Sequence, residues 1–337
     1  SGMGDDAGLQ PAFMDYRRIG ARYGRLIEQF RTGRHVHAYL LTGPQGIGKR
    51  TLARYLASVL FCENDAKPCG KCSQCRMIQE GKHSSVLEIS PEERKTVIPV
   101  DRIREVVTLS SMHSLDGRAR VILIEPMENL LPQAQNSLLK SLEEPDTNVI
   151  YFLLSHDVSP LLDTILSRCS LFKLTPWPSE LLEQHLLKRG YPRGAVERAA
   201  ALAGGNVGEA LSILSEQPGG SNNSALRQML SVSNVRDAVL CGAMFKDMAG
   251  NADQILFLLE RYLQQCMMVK SGLLPAELLQ DTPWQHCIRD AEMPDLIALT
   301  DQVFRARKLK MSNVNWQSNI DQLTLRLLEA TSKWQKS

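Results

Sequence analysis

The sequence predicts an α/β core with a parallel sheet, followed by two helical parts. Short, almost wholly apolar runs at residues 38–42, 121–124 and 149–154 alternate with segments of helical periodicity. Strands that are apolar on both faces and separated by helices are typical of parallel sheets. The segment TPWP at 175–178 ends this alternation, and from residue 225 onward the chain shows helical periodicity only. We therefore expect a parallel α/β domain first and helical domains after it.

The individual elements follow from local patterns. The predicted strands are residues 38–42, 86–89, 121–124 and 149–154, and the predicted helices are 50–61, 100–109 and 134–144. Pro145 is expected to end the last of these helices, because its ring cannot continue one. The segment QPGGSNNS at 217–224 has the composition of a linker. The expected domains are therefore the α/β core at 13–175, a small helical lid at 179–217 and a larger helical domain at 224–337.

Length and composition limit the class of protein. A chain of 337 residues is long enough for two or three domains. Its net charge of +2 gives no overall basic field for nucleic acid. No apolar run approaches the roughly 18–20 residues that span a bilayer, and the beginning of the sequence lacks the pattern of a signal peptide. We expect a cytoplasmic protein without a membrane partner, whose thiols stay reduced.

The segment GPQGIGKRT, which begins at Gly43, is close to a phosphate-binding loop. The consensus requires glycine, four residues, a second glycine, lysine and then serine or threonine. Gly48 and Lys49 fit, whereas Arg50 stands where the hydroxyl belongs and Thr51 comes one residue late. Because the loop lies between a predicted strand and a predicted helix, we favour a phosphate cradle over a plain glycine-rich turn. The residues expected to line a nucleotide site are Gly43, Pro44, Gly46, Gly48, Lys49, Arg50 and Thr51.

Hydrolysis needs further polar groups, which the sequence supplies poorly. The hydroxyl after the lysine normally binds Mg²⁺, and Thr51 does not replace it because neighbouring helical residues point about 100° apart. After the strand at 121–124, Glu125 has the reach for a metal, but Pro126 stands where a second acid is usual. Glu128 is expected to be a solvated acid at the start of a helix.

Ser155 follows the predicted strand at 149–154. A hydroxyl there is either a polar sensor of the γ-phosphate or a simple strand terminator, and the sequence leaves both readings open. Together with the weak set of acids, this arrangement allows ATP or ADP to bind and predicts little or no hydrolysis.

Four cysteines form a cluster with the spacing Cys62-x6-Cys69-x2-Cys72-x2-Cys75. Four thiolates with two CxxC steps suit tetrahedral zinc in a closed, structural site. Similar CxxCxxC runs also hold iron–sulfur clusters, and four unligated thiols are the remaining alternative. We therefore predict a small zinc knuckle, inserted at 62–75 after the helix that follows the phosphate loop.

Several motifs together resemble one family. They are HAYLLTGP at 37–44, the four-cysteine insert, NSLLKSLEEP at 136–145 and LLDTILSRC at 161–169. Over residues 16–214 the chain is similar to the AAA+ subunits of bacterial clamp loaders, and among them to the delta-prime family of DNA polymerase III. The resemblance implies an AAA+ core and lid followed by a helical collar domain. It also implies a hetero-oligomer that opens the sliding clamp and places it on primer-template DNA.

The resemblance further implies a role for one arginine. The implied partners are an ATP-hydrolysing gamma/tau subunit and the delta subunit, and the implied role of the chain is that of a stator. In this family the arginine of the Ser-Arg-Cys motif acts on ATP held by the neighbour. Arg168 is therefore the predicted catalytic residue, an arginine finger acting in trans; an ordinary surface arginine is the alternative.

Other candidate functions require different residue types at particular positions. ATP-hydrolysing relatives carry an arginine in the lid, where the stretch GNVGEAL places Gly208. The main alternative is a gamma/tau-type clamp-loader ATPase, and Arg50, Pro126 and Gly208 argue against it. A different AAA+ regulator, or a zinc-bearing nucleic-acid binder, is a more distant alternative.

Overall fold

The computed structural model describes residues 16–92, 97–113, 119–144, 148–215, 221–247, 252–279, 283–285, 288–310 and 316–334. The chain divides into two compact units between Leu214 and Ser215. The predicted lid helices belong to the first unit. Among the described residues, no helix is both long and apolar enough to cross a membrane.

The first unit is built on a five-stranded sheet in the order β2-β3-β4-β1-β5. Every pairing in it is parallel. Its strands are β1 (Ala38–Thr42), β2 (Val86–Ile89), β3 (Arg120–Ile124), β4 (Val149–Ser155) and β5 (Ser170–Lys173). All residues of β1 and β4 are buried, as their apolar sequences require. The predicted fold class, a parallel α/β core followed by helices, is confirmed.

Helices cover both faces of this sheet. They are α1 (Ala21–Arg31), α2 (Lys49–Phe61), α3 (Ser73–Gln79), α4 (Val100–His113), α5 (Pro132–Glu143) and α6 (Asp163–Leu166). Successive strand residues point to opposite faces, so Leu41 packs with Leu52 of α2. Leu40 packs on the other face with Leu138 of α5. The phosphate loop and the arginine motif are thereby attached to one rigid sheet.

Three lid helices complete the first unit: α7 (Ser179–Lys188), α8 (Arg193–Ala203) and α9 (Val207–Ser215). Trp177 and Leu182 belong to the same apolar core as α1 and α2, so the lid packs directly on the sheet domain. The backbone N–H of Trp177 donates to the carbonyl of Gly205 at 2.9 Å. A Cβ at Gly205, whose φ is +86°, would lie 2.5 Å from the Trp177 carbonyl. Only glycine fits this close crossing.

The described residues of the second unit form helices joined by turns and irregular segments, with no strand among them. This unit contains α10 (Ser221–Leu230), α11 (Val235–Asp247), α12 (Ala252–Lys270), α13 (Met293–Lys310) and α14 (Trp316–Trp334). Trp284 and Trp334 are almost fully buried at its centre, with their rings edge-to-face at 5.1 Å. The indole N–H of Trp284 donates to the carbonyl of Leu230 at 2.9 Å, which satisfies the one polar atom that the ring buries.

The structure corrects the sequence prediction at the linker. Helix α10 begins at Ser221, inside the segment 217–224 that was predicted to be irregular. The serine and asparagine residues of that segment are weak helix formers, which hid the start of the helix. Residues 217–220 and Pro145 lie outside the described residues. The three predicted domain boundaries stay predictions.

Candidate functional site

The phosphate loop connects the end of β1 to the start of α2. Gly48 has a φ of +100° and precedes the first helical residue, Lys49. The Lys49 ammonium donates to the carbonyls of Gly43 at 2.8 Å and Pro44 at 3.0 Å. Its side chain is buried, and this burial lowers the Lys49 pKa even though the nearby carboxylates oppose the shift. The predicted phosphate-binding lysine therefore bonds to the loop that carries it.

Arg50 points from α2 toward the ends of two strands. Its Nε donates to Glu125 Oε2 at 2.7 Å, and its Nη2 donates to Ser90 Oγ at 3.0 Å. Glu125 was predicted to have the reach for a metal, but its carboxylate is the ion-pair partner of Arg50. Thr51 is exposed on α2. The guanidinium of Arg50 thus lies beside the Glu125 carboxylate, in the place that a metal cation would take.

Glu128 and Ser155 form a second polar contact beside the loop. Ser155 is buried at the end of β4, with Oγ 2.5 Å from Glu128 Oε2 and 2.6 Å from the carbonyl of Asp157. A hydroxyl has one proton, so it donates to one of these oxygens at a time. His156 Nδ1 also contacts the Glu128 carboxylate. The Ser155 hydroxyl, for which the sequence left a sensor and a strand terminator open, therefore has partners within the chain.

The prediction that Glu128 is a solvated acid is wrong. Its side chain is only 6% exposed, because the short turn of helix at Met127–Asn129 directs it back toward the end of β4. Burial alone would raise the Glu128 pKa, but hydrogen bonds from His156 and Ser155 outweigh burial and lower it. A residue's position after a strand gives no indication of this burial, which depends on where β4 ends.

The lid contacts the phosphate loop directly. Asn206 Nδ2 donates to the carbonyl of Gln45 at 2.8 Å, and the backbone N–H of Gly208 donates to the carbonyl of Gly46 at 2.9 Å. A Cβ at Gly208 would lie 2.7 Å from the Cα of Gly46, closer than real Cβ atoms come. Position 208, where the family resemblance predicts an arginine for an ATP-hydrolysing subunit, therefore has no space for any side chain in this arrangement.

Sequence reasoning singled out Gly208 but missed Asn206. The side chain of Asn206 also accepts from the backbone N–H of Glu209 at 3.1 Å, as an asparagine at a helix start does. This capping pattern was readable in the sequence. The contact of Asn206 with Gln45 was not, because it joins residues 161 positions apart.

The four clustered cysteines lie close together in space. Their Sγ atoms are all within 4.8 Å of one another. A tetrahedral zinc site with Zn–S bonds of about 2.3 Å would hold its sulfurs about 3.8 Å apart. The donor set therefore fits one metal ion held by four thiolates, and it is compatible with zinc.

Hydrogen bonds favour the thiolate form of Cys69, whereas burial opposes it by raising the pKa of Cys62 and Cys75. Cys69 Sγ accepts from the backbone N–H groups of Lys71 at 3.4 Å and Cys72 at 3.3 Å, and from Asn64 Nδ2 at 3.0 Å. These backbone bonds lower the Cys69 pKa to about 6. Burial raises the pKa of Cys75. Donors around the ligand sulfurs are a usual second layer of a metal site.

Arg168 lies between α6 and β5 and is held by two elements. One Nη nitrogen pairs with the carboxylate of Glu143, the last residue of α5. The other donates to the carbonyl of Thr164 at 3.0 Å and to Ser167 Oγ at 3.2 Å. About a third of the side chain, 32%, is exposed. The guanidinium is therefore both fixed and accessible.

The sheet separates Arg168 from the phosphate loop. The loop follows the carboxyl end of β1, and Arg168 precedes the amino end of β5, which is parallel to β1. Strands rise about 3.3 Å per residue, so a strand of five residues places the two groups roughly 15 Å apart, at opposite edges. The structure thus brings the loop residues together with Glu125, Glu128 and Ser155, and keeps Arg168 away from them.

Comparison with known proteins gives consistent matches. A family model described as DNA polymerase III, delta subunit, matches residues 21–178. The DNA polymerase III subunit delta' of Pseudomonas aeruginosa is 40% identical over 177 residues, which cover 51% of this chain and 54% of that protein. The subunit delta' of Yersinia pestis is 30% identical over 277 residues, 80% of this chain and 77% of that protein. The subunit tau of Escherichia coli is 34% identical over 208 residues, 59% of this chain and 32% of that protein.

These matches are uneven along the chain. The chain spans about half the length of the delta' relatives from Pseudomonas aeruginosa and Escherichia coli, at 54% and 58%. The family-model match lies wholly within the first unit. The family model therefore covers the part that carries the phosphate loop, the cysteine cluster and Arg168, whereas the Yersinia pestis match of 277 residues is longer than the first unit and extends into the second.

Proposed function

Since this chain belongs to the family of DNA polymerase III subunit delta', we propose that it is a stator subunit of a bacterial clamp loader. In this proposal Arg168 acts on ATP bound by a neighbouring gamma/tau subunit, and the delta subunit is the other neighbour. The assembled hetero-oligomer helps to load the sliding clamp onto primed DNA. The helical second unit serves as the collar domain through which the subunits associate.

One observation carries this proposal: Arg168 and the phosphate loop lie at opposite edges of one sheet. An arginine finger must touch the γ-phosphate. The rigid sheet prevents Arg168 from reaching a nucleotide in its own loop, so its exposed guanidinium is available only to a nucleotide on another subunit. The charge of arginine does not depend on pH in the physiological range, which suits it to this task.

Three contacts support a subunit that hydrolyses little or no ATP itself. Lys49 is bonded to its own loop, Arg50 is paired with the Glu125 carboxylate, and Gly208 leaves no lid arginine. ATP or ADP binding is compatible with the loop glycines, but the groups that would polarise phosphates or hold Mg²⁺ have partners within the chain. The gamma/tau-type ATPase is therefore the second candidate.

We assign zinc to the cluster of Cys62, Cys69, Cys72 and Cys75, with a structural role. Four protein thiolates close a tetrahedral site, so the ion has no open position for a substrate. The cluster follows the end of α2 directly, and zinc there would fix the insert against the helix that starts at the phosphate loop. Elemental analysis should find about one zinc per chain, and iron would contradict the assignment.

The test uses the isolated chain and the loader reconstituted with gamma/tau and delta subunits. The isolated chain should turn over Mg²⁺-ATP at background, with no change in Lys49→Ala. In the assembly, Arg168→Ala should lower turnover at the adjacent ATPase site by about 10³-fold, because it removes the trans charge at the γ-phosphate. Arg198→Ala is the matched control, since Arg198 is an exposed arginine of the first unit on α8.

Two results would overturn the proposal. Mg²⁺-dependent hydrolysis by the isolated chain that Lys49→Ala abolishes would favour the gamma/tau-type ATPase. Wild-type turnover by an assembly carrying Arg168→Ala would remove the finger role, provided that the variant joins the assembly as the control does.

A further inference from the structure

We infer that Glu143 is a positioning residue for Arg168: it holds the guanidinium in one orientation before the neighbour's nucleotide arrives. The inference rests on the proposed function, because it concerns how the finger is presented. Glu143 ends α5, and Arg168 follows α6, so the contact joins segments 25 residues apart in sequence.

The contacts of Arg168 leave part of its guanidinium free. Arginine has five N–H donors in a planar fork. One Nη nitrogen is occupied by the carbonyl of Thr164 and the hydroxyl of Ser167, and the other gives one hydrogen to Glu143. Among the described residues, neither the Nε–H nor the second hydrogen of that Nη has a partner, so both remain for an incoming phosphate oxygen. The surroundings of Arg168 thus fix the plane of the group without using all of its donors.

This arrangement has a physical advantage for an arginine finger. An unrestrained arginine side chain loses much rotamer freedom when it is fixed on a ligand. Glu143 and Thr164 restrict that freedom beforehand, so less is lost as charge develops on the γ-phosphate in the transition state. Preorganised groups of this kind act mainly on the transition state rather than on ground-state binding.

A role in folding stability alone does not explain the ion pair between Arg168 and Glu143. The side chains of Arg168 and Glu143 are 32% and 48% exposed, and ion pairs exposed to this degree contribute little to folding. Glu144, the next residue, is also exposed but has no ion pair among the described residues. It provides a matched carboxylate with the same charge and nearly the same position.

The experiment measures ATP turnover of the reconstituted loader in which only the site facing this subunit is competent. Glu143→Ala should lower kcat about tenfold, because a loosely held guanidinium adopts the productive geometry less often, and it should leave KM for ATP nearly unchanged. Glu143→Gln keeps an oxygen that accepts from the arginine and should restore most of kcat. Glu144→Ala should match wild type, and Arg168→Ala sets the fully deficient level.

The outcomes separate the inference from the proposed function. If Arg168→Ala lowers turnover but Glu143→Ala does not, the finger stands and Glu143 does not position it. If Glu143→Ala raises turnover, Glu143 masks the finger and the inference is wrong in sign. If Arg168→Ala itself leaves turnover unchanged, Arg168 is not an arginine finger, and both the proposed function and the inference about Glu143 are wrong. Thermal unfolding of the isolated variants checks that each remains folded.

Discussion

The two edges of the sheet use their polar side chains differently. At the carboxyl edge, Lys49, Arg50 and Ser155 all bond to groups of this chain. At the amino edge, Arg168 is also bonded, but it keeps an exposed face. The carboxyl edge resembles a site whose ligand positions have been filled from within, whereas the amino edge keeps its charge available to another molecule. Under the proposed function, the carboxyl edge keeps the shape of a nucleotide site, and the amino edge supplies the charge that acts on another subunit.

The largest effect should come from removing the zinc proposed for the cysteine cluster. Structural zinc sites contribute about 10–16 kcal/mol of binding free energy in small zinc-finger peptides, so chelation should open the insert at 62–75. Hydrogen exchange should show lost protection there and in α3, while the amides of α6 and β5 around Arg168 stay protected. Unchanged exchange after chelation would show that the cysteines hold no structural ion.

A matched variant sharpens this experiment. Cys72→Ser removes one ligand, so chelator should have little further effect on its exchange. If the amides of α6 and β5 near Arg168 also lose protection, the fixed position of Arg168 depends on the insert, and the amino edge is less independent than the comparison assumes.

The next effect concerns the lid contact at the carboxyl edge. Gly208→Ala places a Cβ against the backbone of Gly46, and such overpacking costs about 1–3 kcal/mol. Gly194→Ala on α8 is the control, because a Cβ there has nothing within 4 Å, and it should be neutral or slightly stabilising. Denaturant unfolding of both variants measures the difference. Equal stability of the two would show that the lid does not rest on the loop.

A smaller effect on stability, which depends on pH, tests how tightly helix α7 of the lid packs against Trp177. His185 of α7 packs edge-to-face on Trp177 at 5.3 Å. Burial, with help from Arg189 and Lys188, lowers its pKa from 6.5 to about 4. The native chain then binds fewer protons than the unfolded chain between these values, so stability is full above about pH 6.5 and falls toward pH 4.

In His185→Gln the unfolding free energy should fall less on acidification than in wild type. The difference between the two proteins should be about 1 kcal/mol at pH 4–5. His83 is also buried with a lowered pKa, so the measurement is the difference between wild type and variant in unfolding free energy across pH 4–8. Parallel curves for the two proteins would show that His185 keeps its ordinary pKa and that the lid contact is loose.

For the last variant, Arg50→Thr, we expect no change in ATP turnover. Arg50→Thr restores the hydroxyl of the consensus, yet ATP turnover of the isolated chain should stay at background. Lys49 remains bonded to its own loop, and position 208 still lacks an arginine. Measurable Mg²⁺-dependent turnover in this single variant would show that Arg50 alone had silenced the site.

The sequence predicted the parts of the fold that are buried on all sides. Strands β1, β3 and β4 are continuous apolar runs, so their type and position followed from composition. Strand β5 was not assigned, because only Phe172 of its four residues is buried and an edge strand of this kind carries little apolar signal. The cysteine spacing and the loop glycines were equally readable, because each is a local pattern.

The contacts that define the site were less predictable. Glu143 with Arg168, Asn206 with Gln45 and Arg50 with Glu125 join side chains from distant segments. Which charged groups meet depends on how helices and strands pack, and no local periodicity records it. The motifs therefore identified the residue types, and the structure supplied their partners.

The meeting of Gly208 with Gly46 also limits how this chain could change in the future. Regaining an arginine in the lid requires moving α9 off the loop first, since even one carbon atom collides there. Replacing Arg50 strips a partly buried carboxylate, Glu125, of its partner. Each of these substitutions alone would lower stability, because it creates a collision or leaves a carboxylate unpaired. Under the proposed function, a change of this chain into an ATPase would therefore need several substitutions made together.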